Sequence, residues 1–336
     1  MAAAAADGGC GGSGGGSGCD TEPTVYDAIV VGAGIMGSAA AAYLAKYVTT
    51  AAAAGWRERM HINVLPYDHH TIMCREGAKV LLLEQYHFLH RRGSSHGESR
   101  IIRHTYPSET YTALMVRSWP RHHHTLTHSL TTLTHTTRYK PHATRAQGPA
   151  YKLWHEAEVE SGMKVVVETG GIDVVEGGSG VATALVEAAR RCGVDVDVIE
   201  PAELARRYGV RISDDRIAVL QSGTGIVRAT TAVAMFQSLA RSHGATLRDG
   251  AKVTSLSQMS AGGRTLQCVM LADGTRLCAA KVVLTVGPWA QPVLESLCGL
   301  DVPLQVWQTT VMYFKAAAGV PDAGAKLAAL PVLIDY

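Results

Sequence analysis

A chain of 336 residues, 47% of them hydrophobic, holds material for packed cores and, at about 150 residues per domain, for two domains. Its 31 lysines and arginines nearly balance 29 aspartates and glutamates, and the formal net charge of +2 gives no electrostatic basis for binding nucleic acid or an anionic membrane. Seven scattered cysteines with no CxxC pair suit free thiols in a reducing compartment rather than a disulfide framework or a zinc site, and no run of about 18 apolar residues offers a membrane span.

Residues 1–22 are mostly alanine, glycine and serine. They lack the basic start and apolar run of a signal peptide and contain no arginine, so they read as a disordered tail rather than a leader. From Tyr26 to Leu44 the chain reads as a buried strand (Ala28 to Val31), a turn with glycines at 32, 34 and 37, and a helix of small residues. The three glycines serve different ends. Gly32 allows the tight turn, Gly34 lets the backbone approach a pyrophosphate, and Gly37 lets the helix pack closely on the strand. Ile35 and Met36 open that helix, whose unpaired N–H groups and positive dipole end favour phosphate.

Such a unit places an acidic residue about 20 positions beyond the glycines, at the end of the second strand. Here the strand is Lys79 to Leu83, followed by Glu84 and Gln85, and Glu84 lies 52 positions after Gly32. Subtracting residues 47–76, which have no sustained hydrophobic period, leaves a separation of 22. That stretch reads as an insertion in the loop between helix and strand, where length is tolerated. A carboxylate at Glu84 can accept the ribose hydroxyls of a dinucleotide and repels the 2′-phosphate of NADP. The plainer alternative is a solvated strand-end glutamate.

Tyr111 to Trp119 and Leu153 to Glu160 read as two pieces of one amphipathic helix, parted by a second insert, 121–152, rich in histidine and threonine. Its histidines match no ligand spacing and have no carboxylate partner, so low complexity is preferred over a metal tract. Two such inserts in an otherwise regular chain read as translated non-coding sequence. Beyond them the chain is regular α/β. Strands are expected at Val165–Thr169, Ile172–Val175, Ala218–Gln221, Lys252–Leu256 and Lys281–Val286, the last ending at Gly287. Helices are expected at Val181–Cys192, Glu203–Tyr208 and Thr231–His243, and a hairpin at 265–278 around Asp273-Gly274.

The block Arg91 to His104 (Arg-Arg-Gly-Ser-Ser-His-Gly-Glu-Ser-Arg-Ile-Ile-Arg-His) is the second concentration of chemistry. Gly93, Ser94 and Ser95 offer backbone N–H and hydroxyl groups. If the block is helical, His96, Arg100 and Arg103 share one face. One imidazole and two guanidiniums suit a carboxylate substrate, since arginine binds carboxylates bidentately. A basic exposed face fits the spacing equally well.

Gly32 to Gly37, Leu81 to Gln85 and this block, with Lys281 to Trp289 and Val302 to Phe314, together resemble the monomeric sarcosine oxidase family. These are FAD enzymes of the D-amino-acid-oxidase-like superfamily, and among them the chain resembles the peroxisomal sarcosine or pipecolate oxidases. The resemblance implies an α/β fold: a Rossmann-like FAD-binding domain (23–170 and 223–299) and a mixed-sheet substrate domain (171–222 and 300–336), incomplete in this chain. It implies that Gly32, Gly34, Gly37 and Glu84 hold the ADP half of FAD, with Ile35, Met36 and Gln85 beside them. Gly93, Ser94 and Ser95 run along the cofactor, Val253 pairs with the adenine through its backbone, and Gly287 allows close approach of the sheet. Arg100 lies over the flavin, Arg103 binds the substrate carboxylate, and His96 lines the site.

The implied reaction is oxidation of a C–N bond in sarcosine or a cyclic secondary amino acid, with O2 reduced to hydrogen peroxide, by a monomer. Peroxisomal location follows by resemblance, and a cytoplasmic one from the absence of a targeting tripeptide at Ile334-Asp335-Tyr336. The family continues where this chain stops. The part expected there carries a flavin-linking cysteine, lysines for oxygen activation and carboxylate binding, and a glycine-rich segment under the flavin. A catalytically inactive fragment with residual FAD binding is therefore the second expectation. A third, an NAD-dependent dehydrogenase, is disfavoured by the arginine-rich block.

Overall fold

The computed structural model describes residues 25–47, 78–116, 149–312, 315–316, 318–319 and 322–336. The expected tail, the insert at 47–76 except for Tyr47, and most of the insert at 121–152 lie outside the described residues.

A six-stranded sheet forms the larger half. At its centre β1 (Val25–Val31) runs parallel to β2 (Val80–Leu83) and to β12 (Arg276–Leu284), and β9 (Thr246–Arg248) continues the parallel set beside β2. The antiparallel strands β10 (Val253–Ala261) and β11 (Arg264–Leu271) extend the other edge, which gives the order β10-β11-β12-β1-β2-β9. Side chains alternate across the sheet with period two, so β1 and β2 feed two cores. Val30, Val80 and Leu82 pack under Ala41, Ala42 and Ala45 of α1 (Ile35–Tyr47) and under Met235, Phe236 and Leu239 of α6 (Ala229–Ser242). Ile29, Val31, Leu81 and Leu83 face Val269, Leu271 and Ala279. Burial on both faces explains why these strands read as continuous apolar runs.

The expected strands at 276–278 and 281–286 are one strand. Ala279 and Ala280 are weak strand formers, yet Ala279 is buried and pairs with both Gln267 and Tyr26. The expectation of free thiols is overturned at Cys268 and Cys278. The hairpin register sets them opposite each other across β11 and β12, where they form a disulfide at a separation of 10 residues.

A four-stranded sheet forms the second half from β5 (Gly171–Glu176), β6 (Val196–Ile199), β7 (Arg216–Gln221) and β13 (Val332–Asp335), in the order β13-β5-β7-β6. On one face α4 (Gly180–Arg191), capped by Ser179, packs Ala182 and Leu185 on Val175 and Val219. On the other, Leu204 of α5 (Pro201–Tyr208) packs on Ile172, Val174 and Leu220. A three-stranded sheet links the halves: β3 (Arg100–Ile102) and β4 (Val166–Glu168) flank β8 (Gly225–Val227). Two further helices, α7 (Ala290–Cys298) and α8 (Ala323–Ala328), follow β12. Among the described residues no helix is long and apolar enough to cross a membrane.

Two expectations change here. Residues 84–99 form an irregular loop that enters β3, so His96, Arg100 and Arg103 do not share a helical face; along extended chain a spacing of three turns side chains to opposite sides. The insert boundary also moves. Besides α2 (Glu109–Val116), α3 (Pro149–Ser161) begins within the stretch assigned to the insert, and its Tyr151 is buried and donates a hydrogen bond to the Gly223 carbonyl.

Helix α3 is tied to β4 by one carboxylate. Glu158 Oε1 accepts the N–H groups of Val165 and Val166, both at 2.7 Å, and Oε2 accepts Lys164 Nζ at 2.7 Å. Burial pushes the Glu158 carboxyl up, but the Lys164 bond and the two backbone bonds outweigh it and hold it below its ordinary 4.5. A carboxyl depressed in the folded state binds fewer protons there than when unfolded. Its stabilisation is therefore complete above about pH 4.5 and is lost as pH falls through the folded-state value. Glu158→Gln is expected to lower stability at neutral pH by about 1–3 kcal/mol and to flatten the loss of stability below pH 4.5, as read from denaturation curves across pH. An unchanged acid limb would count against this.

Candidate active site

The turn between β1 and α1 is held from several sides. Gly32 has φ of +102°, and a Cβ on it would stand 2.5 Å from the Thr285 carbonyl oxygen. A Cβ at Gly37 would stand 1.9 Å from the Gly32 carbonyl oxygen and 2.5 Å from Thr285 Oγ1, so the helix can approach the turn only without a side chain there. A Cβ at Gly34 would meet only Ser95, at 3.1 Å from Oγ. The Ala33 N–H donates to Glu84 Oε2 at 2.9 Å, the Tyr86 N–H donates to Glu84 Oε1 at 3.1 Å, and the Ile35 N–H donates to Ser95 Oγ at 3.1 Å. Glu84 is 6% exposed, and these bonds leave part of its lone-pair capacity for a further donor.

In front of this turn lies a cavity of about 930 Å³, at the upper end of the range of about 300–1,000 Å³ usual for ligand pockets. It opens at the carboxyl ends of the parallel strands, where α/β sheets take their ligands. Gly32, Gly34, Ile35, Met36, Glu84 and Gln85 line one wall, and Gly93, Ser94, Ser95 and His96 line a second. Val253 and Gly287 stand on the remaining sides. The set fits a dinucleotide: a turn at Gly32 and Gly34 with no side chains in the way, a helix N-terminus, and a buried carboxylate at one end. Gly37 stays behind the turn, in packing.

Arg100 and Arg103 lie outside this lining. The Arg100 guanidinium donates to the carbonyls of Ser94 (2.9 and 3.1 Å) and Ser99 (2.7 Å), bracing the loop that carries His96. His96 Nδ1 is itself bonded to the Gly93 carbonyl. Arg103 Nη1 donates to Asp173 Oδ1 at 3.2 Å and to the Tyr336 hydroxyl, and its guanidinium lies 4.2 Å from the centre of the Tyr106 ring. Tyr106 is a further side-chain hydrogen-bond partner of the same guanidinium, so Arg103 is held by three neighbours. Asp173 is fully buried. Burial pushes its carboxyl up, against Arg103 and the hydrogen bonds from Thr105 and Gln221.

Several lining residues have no local signal in the sequence. Tyr86 and His90 on the loop after β2, and Thr285 and Trp289 after β12, reach the cavity because β2 and β12 pair on either side of β1. Thr285 Oγ1 lies 2.9 Å from the Gly32 carbonyl and 3.0 Å from that of Val31. Trp289 follows Gly287-Pro288 in a run that resembles a family segment, and that is the nearest thing to a signal. Among the described residues no group of three or more His, Cys, Asp or Glu could hold a metal ion.

A family model described as FAD dependent oxidoreductase (DAO) matches residues 27–332. A probable sarcosine oxidase of Arabidopsis thaliana is 31% identical over 296 residues, covering 88% of this chain and 56% of the plant protein. The peroxisomal sarcosine oxidase of Homo sapiens is 26% identical over 295 residues, covering 88% of this chain and 58% of the human one. The chain thus spans a little over half the length of these relatives. The open form of NikD, an amino acid oxidase, superposes with a TM-score of 0.55 at 23% identity over 81% of this chain and 53% of NikD, a likeness of fold.

The glycines separate packing from ligand contact. Gly37→Ala, which drives a methyl into the Gly32 carbonyl, is expected to cost about 1–3 kcal/mol. Gly34→Ala is expected to cost clearly less, because φ is ordinary there and only a hydroxyl must give way. Thermal denaturation of both variants checks the order, and equal losses would contradict it.

Proposed function

The chain belongs to the FAD-dependent oxidoreductase family, and from that premise we propose that it oxidises the C–N bond of an N-methyl or cyclic secondary amino acid, sarcosine or pipecolate. The observation that carries this reading is the cavity into which the β1–α1 turn, Glu84 and the His96 loop all open. Bound FAD supplies the acceptor for the hydride and the passage of electrons to O2, giving hydrogen peroxide.

The chain's own residues bind and orient. Gly34, Ile35, Met36 and Ser95 receive the pyrophosphate at the head of α1, with Gly32 and Gly37 shaping the turn behind it. Glu84 accepts the ribose hydroxyls beside Gln85, and Val253 offers its backbone to the adenine. Gly93, Ser94 and Gly287 allow close approach along the cofactor. The family resemblance assigns Arg100 the support of negative charge at the reactive end and Arg103 the substrate carboxylate, although both stand outside the cavity lining here, and His96 lines the substrate side. Peroxide as a product suits a peroxisome, the compartment in the human relative's name.

A second reading, a chain that holds FAD without turnover, is favoured by the position of Arg100 and Arg103 outside the cavity lining. Purified protein separates the two. The expected result is a yellow sample with flavin absorbance that forms peroxide with sarcosine or pipecolate in a peroxidase-coupled assay. Flavin without peroxide supports the second reading. Colourless protein that reduces a nicotinamide cofactor would overturn both.

A further inference from the structure

His90 has no part in the proposed chemistry, yet it stands beside Glu84 in the cavity lining, between Tyr86 and Trp289. The Arg92 N–H donates to His90 Nδ1 at 3.0 Å. A backbone N–H only donates, so Nδ1 is the accepting nitrogen and the ring proton sits on Nε2. Nε2, which then carries the ring proton, lies 3.3 Å from Glu84 Oε1, within pairing distance of the buried carboxylate, and the His90 side chain is itself 12% exposed. The ring meets Tyr86 edge-on, with centroids 4.9 Å apart, and Trp289 edge-on at 6.3 Å. A Cβ on Gly93 would touch His90 Cε1 at 3.6 Å. One imidazole therefore joins the carboxylate, the loop leading to His96, and the wall built from the segment after β12.

We propose that His90 is a positioning residue for the FAD site: its Nε2–H holds the Glu84 carboxylate in the orientation that receives the cofactor's ribose. The inference rests on the reading that Glu84 is the ribose acceptor. Without His90, the hydrogen bond that remains on Oε1 is the one from the Tyr86 N–H, and the carboxylate is less firmly oriented. The effect lies in preorganisation, as for partners that orient the ligands of a metal. The aromatic packing alone does not require a hydrogen-bond donor, and the two roles can be told apart by choosing which nitrogen is kept.

Three variants make the separation. In His90→Gln the amide nitrogen can stand where Nε2 stood and donate to Glu84. In His90→Asn the amide group stands at the Nδ1 position and cannot reach Glu84. His90→Phe keeps the ring and removes both nitrogens. The dissociation constant for FAD is measured by quenching of flavin fluorescence as apoprotein is titrated, with thermal denaturation beside it.

The expected result is a rise of about tenfold or more for His90→Asn and His90→Phe, the loss of one hydrogen bond to a charged group, with His90→Gln within about threefold of the parent. A packing role gives the opposite order, with His90→Phe closest to the parent and Asn and Gln alike, and that order overturns the proposal. Should His90→Phe not fold, the comparison of Gln with Asn decides by itself. Glu84→Gln is the control for the underlying reading. If it leaves FAD affinity unchanged, Glu84 is not the ribose acceptor and the inference falls with it. If it weakens FAD while the three His90 variants do not, only the role of His90 is overturned.

Discussion

The approach of α1 to the end of β1 is the constraint on which the rest of this structure depends. A hydrogen atom at residue 37 is all that fits between the helix and the Gly32 carbonyl, and the same carbonyl receives Thr285 from the neighbouring strand. That contact brings the helix N-terminus to the carboxyl ends of β1, β2 and β12 at once. Glu84 reaches back to the Ala33 N–H from the next strand, so three separate segments are pinned to one turn. The cavity is the space left in front of that junction, and its walls are as exact as the junction behind it.

Two kinds of polar contact serve this architecture. At the turn, charge is held close to backbone N–H groups, which preserves an opening for a ligand. In the second half, Asp173 is buried beneath Arg103 with Thr105 and Gln221 as its other partners, a closed arrangement in which a buried carboxylate is fully engaged. Leaving such a carboxylate unpaired would cost several kcal/mol, and its partners come from the loop after β3 and from the end of β7. The ion pair therefore ties the three-stranded sheet to the four-stranded one, beside the guanidinium proposed to meet the substrate.

Much of the fold was legible in the chain because local rules and tertiary demands agree there. Strand β1, the glycine turn, α1 and β2 follow from apolar runs bounded by residues that only a tight turn requires. Glu84 is found once the unpatterned residues before β2 are subtracted. Legibility failed where a long-range pairing overrides the local pattern. Two alanines of low strand propensity sit in the middle of β12, yet pairing with β11 on one side and β1 on the other carries the strand through them. Cys268 and Cys278 show no motif, and only the hairpin register sets them face to face. The spacing of His96, Arg100 and Arg103 is helical, but β8 pairs with residues 100–102 and the backbone is extended.

By itself, the sequence determined the class of sheet, the dinucleotide turn and the acidic residue paired with it. Those features arise from steric rules that act within a few residues: where a Cβ is forbidden, where a helix begins, and which faces are apolar. Only the tertiary structure decided that Tyr86, His90, Thr285 and Trp289 stand around one cavity, and that Arg103 is held by Asp173 from another sheet. Those placements depend on strand order and register, set by hydrogen bonds between segments far apart in the chain, and no spacing along the sequence encodes them.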